Sequence, residues 1–279
     1  LPELPEIETV RRTLETLIIG KEIRDVDIFF NKMIRSHSIE EFQQKLEHRT
    51  ITSIDRYGKY LLFTIGESIL ISHLRMEGKY FLKHLEEPRN KHEHVIFYFT
   101  DGTTLRYHDT RKFGTFDLIP KEELYTNSPL TKLGIEPHSS ALTLKYVASK
   151  LNAKTMAIKP ALLDQTIICG LGNIYVDEVL FRSRIFPGTR CNQLGKKEYK
   201  KIIESCKIVI DKAIDLGGSS IRSYTSSLGV TGRFQNELMV HTLEGEPCKI
   251  CTTKIVKIRL AGRGTYYCPK CQKEPKKKS

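Results

Sequence analysis

The segment CKICTTKIVKIRLAGRGTYYCPKC, residues 248–271, decides how this chain is read. Cys248 and Cys251 form one CxxC pair, Cys268 and Cys271 form a second, and 16 residues separate them. Two thiolates from each of two tight turns complete a tetrahedron around zinc, and so short a segment, with little apolar content, needs the metal to fold. Four thiolates leave no open position for a substrate. The spacing therefore predicts one structural Zn2+, held by Cys248, Cys251, Cys268 and Cys271. Paired disulfides belong to secreted chains, and a redox CxxC needs only a single pair beside a strand–helix turn.

Charge gathers on the same segment. From Cys248 to Ser279, ten lysines and arginines face one acid, Glu274, so this stretch carries +9 of the chain's formal +12. A metal-fixed module of that charge calls for a polyanion, and nucleic acid is the expected partner. The final KEPKKKS reads as a solvated tail. Arg259 and Arg263 instead lie on RLAGRGTYY between the two CxxC pairs, with Arg263 between glycines that leave room for a phosphate to approach.

The 279 residues, 39% of them hydrophobic, suffice for two sizeable domains beside the metal module. No apolar run approaches the roughly 20 residues of a bilayer span. Glu3, Glu6 and Glu8 stand where a signal peptide would be basic and then apolar. These features predict a soluble cytoplasmic protein with no membrane partner. The remaining cysteines, Cys169, Cys191 and Cys206, are scattered and odd in number, which fits a reducing compartment.

Upstream of the metal segment the hydrophobic period changes twice. Ile7, Val10, Leu14, Leu17 and Ile18 fall at helical spacing over residues 3–19, with Pro5 in the first turn and Gly20 at the end. From Glu22 to about Thr115 the runs are short and β-rich: EIRDVDIFF, ITSIDRY, YLLFTI, ILISHL, YFLKHL, VIFYFT, TTLRYH and FGTFDLI. Turn signals such as Ile65-Gly66, Glu77-Gly78 and Asp101-Gly102 separate them, and one helix near Ile39–Leu46 interrupts them. This half reads as a β-sandwich or flattened barrel. The Pro-, Gly- and Ser-containing stretch TNSPLTKLGIEPHSS, residues 126–140, marks a boundary. Beyond it come helices near 144–151, 160–165, 174–184 and 196–216, the last ending at Gly217-Gly218. The expected organisation is an N-terminal β domain over residues 1–130, a helical domain over 131–240 and the zinc finger with its tail over 241–279. GLGN, residues 170–173, precedes a helix and has two readings. One is a phosphate-approach turn, the other a tight turn capped by Asn173.

The ordered series PELPEIETVRR (2–12), GKYLLF (58–63), SHLRMEGKY (72–80), KHEHV (91–95), DTRKFG (109–114), IKPALLDQ (158–165), GLGNIYVDE (170–178), GGSSIRSY (217–224) and AGRGTYYCPKCQ (261–272) resembles one family over nearly the whole chain. That family is the bacterial formamidopyrimidine-DNA glycosylases, which excise oxidised purines such as 8-oxoguanine. The resemblance implies an α+β multidomain fold: a leading helix with a β-sandwich, a helix-two-turn-helix domain and a C-terminal four-cysteine zinc finger. It also implies a monomer acting on damaged double-stranded DNA, at the nucleoid of a bacterial cytoplasm.

Residue roles follow from the same resemblance. Pro2, once exposed as a secondary α-amine, is the nucleophile, and Glu3 carries protons. Lys59 serves β-elimination and Arg263 δ-elimination. Met76, Arg111 and Phe113 fill the space vacated by the extruded base, with Glu6 near the lesion. His92, Lys154, Lys159 and Asn173 contact DNA phosphate. Read without the family, Pro2 and Glu3 are an ordinary helix start. A residue acylating Pro2 would remove its nucleophilicity, so Leu1 is expected to be an initiator residue that is cleaved. LGVTGRFQ, residues 228–235, matches the family's lesion-covering loop. Two rivals remain at this point. One is an endonuclease VIII-type enzyme for oxidised pyrimidines, against which Met76 and DTRKFG weigh. The other is a non-enzymatic zinc-ribbon DNA-binding protein, which leaves the residues around Pro2 unexplained.

Overall fold

The apolar periodicity that opens the chain folds as a helix, α1 (Leu4–Ile18), which buries Leu4, Ile7, Val10, Leu14 and Ile18 and begins with proline in its first turn. The computed structural model describes residues 2–219 and 232–275. Leu1, residues 220–224 of the GGSSIRSY match, residues 228–231 of the LGVTGRFQ match, and the lysines at 276–278 lie outside the described residues. The chain divides into two units: Leu1–Thr131 with Gly217–Gly232, and Lys132–Leu216 with Arg233–Ser279.

In the first unit, α1 is followed by β1 (Glu22–Ile28), α2 (Ile39–Leu46), β2 (Arg49–Tyr57), β3 (Tyr60–Ile65), β4 (Ser68–His73), β5 (Lys79–His84), β6 (Glu93–Phe99), β7 (Thr103–His108) and β8 (Thr115–Pro120). Each strand falls on one of the β-rich runs of the sequence. Their order is β5-β7-β6-β1-β2-β3-β4-β8, antiparallel throughout. Only Glu22↔Thr50 and Ile23↔Arg49 join β1 to β2, so the sheet consists of two four-stranded halves. Their inner faces share one core, in which Phe63 meets Tyr80 (ring centroids 5.7 Å apart) and Tyr107 meets Phe116 (4.9 Å). This is the expected sandwich, and α1 packs its apolar stripe into the same core.

The second unit contains α3 (Leu144–Leu151), α4 (Ile158–Leu163), α5 (Asn173–Ser183), α6 (Lys196–Asp215) and a hairpin of β9 (Val256–Leu260) with β10 (Arg263–Tyr267). Two helix starts differ from the sequence reading. The helix expected from residue 160 begins at Ile158, because Pro160 is tolerated in a first turn. Asn173 is not a cap: Gly172 is the N-cap of α5 and Asn173 is its first residue. Among the described residues no helix is long and apolar enough to cross a membrane.

Candidate functional site

In the first unit the start of α1 is enclosed. Pro2, Glu3 and Glu6 are buried. The Glu3 amide donates to Glu6 Oε2 (2.8 Å), and the Ser219 amide donates to Glu6 Oε1 (2.7 Å). Gly218, at φ +76°, is required there, since a Cβ would sit 2.8 Å from Glu6 Oε1. Glu6 thus ties the helix start to residues 218–219.

One turn further along, Glu8 receives Arg11, Arg12 and Arg56. Burial by itself raises the Glu8 pKa, but the hydrogen bonds from the three guanidinium groups outweigh it and bring the carboxyl down to about 2. Arg56 also bonds to the Gly58 carbonyl (3.4 Å), so α1 is stapled to the β2–β3 turn that carries Lys59. Lys59 is itself buried. Burial, joined by the charges of Arg75, Lys59 and Arg35, holds the His73 imidazole neutral with a pKa of about 3. Its Nδ1 accepts the amide of Arg75, a residue at φ 52° that sets the turn before Met76.

Met76, Arg111 and Phe113 come together at the surface, as three exposed side chains from two loops. An Arg111 Nη1–H donates to Met76 Sδ (2.8 Å), and the guanidinium lies 4.9 Å from the centroid of the Phe113 ring. The loop beneath is organised by Asp109, which is fully buried and which the sequence reading left without a role. Its carboxylate accepts the amides of Arg111 (2.9 Å), Phe113 (3.0 Å) and Gly114 (2.9 Å). Half-buried His92 stands next to this loop, its carbonyl accepting the Asp109 amide and its ring 5.5 Å from that of His108.

In the second unit the four cysteine sulfurs converge, all within 4.8 Å of one another. The sulfur separations of 3.4, 3.5 and 3.9 Å approach the roughly 3.8 Å edge of a tetrahedron with Zn–S bonds of about 2.3 Å. Cys248 and Cys268 are buried with Val240, Ile255 and Phe181 of α5. The donor set fits zinc, and all four ligands come from the protein.

Arg263 is exposed at the first position of β10, directly after a two-residue turn, Ala261-Gly262, in which both residues have positive φ (47° and 76°). The carbonyl of the next residue, Gly264, accepts both Lys159 Nζ (2.9 Å) and Asn173 Nδ2 (3.0 Å). Lys159 requires a correction. The resemblance puts it on DNA phosphate, but its side chain is wholly buried, and its ammonium is paired with Asp177 Oδ1 (2.7 Å) as well as with Gly264. An ammonium enclosed this way is an internal strut. Asn173 keeps one amide hydrogen beyond its bond to Gly264, and Lys154 is half-exposed, with a backbone carbonyl that accepts the Asn192 amide.

The sequence reading also missed Asp177 and Glu178. Both are buried, and Glu178 accepts the amides of Met239, Val240 and His241 (2.9–3.0 Å) on the segment entering the finger. The available signal was two adjacent acids inside the otherwise apolar helix NIYVDEVLF.

Fold and sulfur cluster together define a zinc-finger protein built on a helix-led β-sandwich and a helical module. Comparison with known families matches residues 1–116 to the formamidopyrimidine-DNA glycosylase N-terminal domain and residues 133–225 to its H2TH domain. Residues 245–273 match the zinc finger found in FPG and IleRS. The formamidopyrimidine-DNA glycosylase of Bacillus subtilis is 50% identical over 273 residues, covering 98% of this chain and 99% of its own. That of Streptococcus pyogenes serotype M28 is 47% identical over 274 residues, covering 98% and 99%. Among solved structures, a Lactococcus lactis FPG mutant in complex with Fapy-dG containing DNA aligns with a TM-score of 0.92 at 46% identity, covering 98% of this chain and all of the other. MutM in complex with carbocyclic 8-oxo-G containing DNA aligns at 0.91 and 45%, with the same coverage. The chain belongs to the formamidopyrimidine-DNA glycosylase family. Its four-cysteine cluster is the site of one structural zinc.

Proposed function

We propose that this chain is a bifunctional DNA glycosylase and AP lyase of base-excision repair, which removes oxidised purines from duplex DNA and then cuts the strand. The observation that carries this reading is the gathering of Met76, Arg111 and Phe113 into one exposed cluster in the unit that contains Pro2. A base must leave the stack before its sugar can be attacked, and two apolar wedges with a hydrogen-bonding guanidinium suit the vacated space.

The chemistry starts at Pro2. As a free secondary amine, in its neutral form, it carries the nucleophilic lone pair. Its lone pair attacks C1′ of the deoxyribose, the C1′–N9 bond breaks and the base departs with a proton. The sugar ring opens at O4′, which takes up a proton for which Glu3 is the proposed donor, and an iminium remains between Pro2 and C1′. The iminium acidifies the C2′ hydrogen. Its removal expels the 3′ phosphate in β-elimination, for which Lys59 is the proposed helper. A second proton loss from the conjugated product expels the 5′ phosphate in δ-elimination, for which Arg263 supplies positive charge to the departing phosphate. His92, Lys154 and Asn173 are the proposed phosphate contacts, and Glu6 the proposed lesion neighbour. Zinc, when bound, supplies no electrophile and fixes the hairpin that bears Arg263.

In functional terms residues 1–130, 131–240 and 241–279 serve as catalytic, DNA-binding and zinc-finger modules of a cytoplasmic monomer that works at the nucleoid. The rival readings are not favoured, because the relatives carry the name formamidopyrimidine-DNA glycosylase and the neighbouring complexes contain Fapy-dG or 8-oxo-G DNA. Duplexes with 8-oxoguanine, with an oxidised pyrimidine and without damage provide the test. Strand cutting at 8-oxoguanine well above the other two is expected. Preference for the pyrimidine lesion, or binding without cutting, would refute the reading.

A further inference from the structure

Arg263 is an exposed side chain on a hairpin of two five-residue strands, which alone is marginally stable in water. The strand residues that follow it are nevertheless bonded to a buried cluster centred on Asp177. Asp177 Oδ1 accepts Lys159 Nζ (2.7 Å), while Oδ2 accepts His241 Nδ1 (2.8 Å) and the Tyr266 amide (3.3 Å). Lys159, oriented by that carboxylate, donates onward to the Gly264 carbonyl, whose second acceptor direction is taken by Asn173. His241 adds a ring contact to Tyr266 (centroids 4.9 Å apart). Two of the five β10 residues, Gly264 and Tyr266, are therefore bonded to groups on α4 and α5. The first of them is the immediate neighbour of Arg263.

From this we infer that Asp177 is a positioning residue for Arg263, with Lys159 as the strut through which it acts. The inference rests on the reading that Arg263 serves the second elimination. Asp177 need not touch DNA. It fixes the two peptides that follow Arg263 along β10, Gly264–Thr265 through Lys159 and Thr265–Tyr266 directly, and about 1 Å of misplacement can cost on the order of 100-fold in a step that depends on that guanidinium. Base release and the first elimination use groups of the other unit and do not depend on this hairpin's aim. The signature is a changed product pattern: strands ending at the β-elimination product, at an unchanged rate of base release.

The experiment follows single-turnover processing of an abasic duplex and an 8-oxoguanine duplex by the full-length zinc-loaded protein, resolving β- and δ-products. Wild type is compared with Arg263→Gln, Asp177→Asn and the double variant Lys159→Met/Asp177→Asn. The double variant removes both buried charges, so that no ammonium is left without its partner. Zinc content and duplex affinity are measured for each. Arg263→Gln is expected to stop at the β-product. Asp177→Asn and the double variant are expected to lower the δ-to-β ratio about tenfold, with base release within twofold of wild type. If Arg263→Gln still yields the δ-product in full, the assignment of Arg263 fails and the inference falls with it. If Arg263→Gln stops at β while the Asp177 variants run through to δ, Arg263 stands and the positioning role is overturned. Loss of zinc or of duplex affinity in both Asp177 variants also overturns it, since the cluster would then hold the finger as a whole rather than aim one residue.

Discussion

Asp109 in the sandwich unit and Asp177 in the helical unit are both fully buried carboxylates beneath an exposed functional tip, yet they are satisfied in opposite ways. Asp109 takes three backbone amides of its own loop and shapes the curve that carries Arg111 and Phe113. Asp177 takes a lysine, a histidine and one amide drawn from three other segments, and bonds them into a platform under Arg263. The first arrangement is local: the carboxylate and its donors lie within five residues, so one short segment shapes the tip. The second is assembled from residues 159 to 266 and exists only once α4, α5 and the finger have folded. The proposed wedge of Met76, Arg111 and Phe113 thus rests on its own loop, whereas the strand bearing Arg263 rests on groups from other segments.

Metal removal breaks this contrast most severely. Chelation strips the zinc and Cys268→Ser removes one of its four thiolates, so the segment around β9 and β10 loses the metal that folds it, and duplex binding is expected to weaken by about 1000-fold at fixed salt, measured by anisotropy. The sandwich unit should keep its near-ultraviolet signature. Normal DNA cleavage by a zinc-free protein would contradict the dependence of the Arg263 tip on the metal.

Second-site rescue sharpens the contrast next. Asp177→Asn is expected to cost about 3–5 kcal/mol in urea unfolding, because the buried Lys159 ammonium loses its counter-charge, and adding Lys159→Met should recover most of it. Asp109→Ala is expected to cost about 2–4 kcal/mol through three amides left without an acceptor, and no single side-chain change elsewhere should restore it. A suppressor of Asp109→Ala outside the loop, or no rescue at Asp177, would erase the distinction.

Glu8 gives the smallest effect. Its pKa is depressed in the folded state to about 2 by Arg11, Arg12 and Arg56 in excess of the opposing effect of burial. The stabilisation is therefore present above the unfolded carboxyl pKa and is lost as pH falls from about 4.5 toward 2, amounting to about 2 kcal/mol after allowance for solvent screening. Glu8→Gln should flatten that part of the stability profile. An unchanged profile would show that the staple between α1 and the Lys59 turn carries no charge-dependent stability.

The two tips also differ in how far they can be read from sequence. The CxxC spacing, the eight β-rich runs and the helical period after residue 140 each announce an element, because each depends on neighbours a few residues apart. The four thiolates belong to the same class. Lys159 was misplaced for the opposite reason. Nothing adjacent to it says that it is buried, and the acid that makes burial tolerable lies 18 residues on, in another helix. Asn173 looked like a cap because asparagine favours that position, but Gly172 takes the cap and the amide is used on the finger instead. Asp109 was visible inside DTRKFG, but its three-amide grip emerges only from the loop's path.

Borohydride trapping on an abasic duplex, with peptide mapping of the adduct, identifies the nucleophile. The protein used must have a free Pro2, verified by intact mass. The reduced cross-link is expected on the Pro2 nitrogen, and blocking that amine should abolish it. An adduct mapped to Lys59 or any other lysine, or no adduct from a protein with a free Pro2, would rule out Pro2 as the nucleophile.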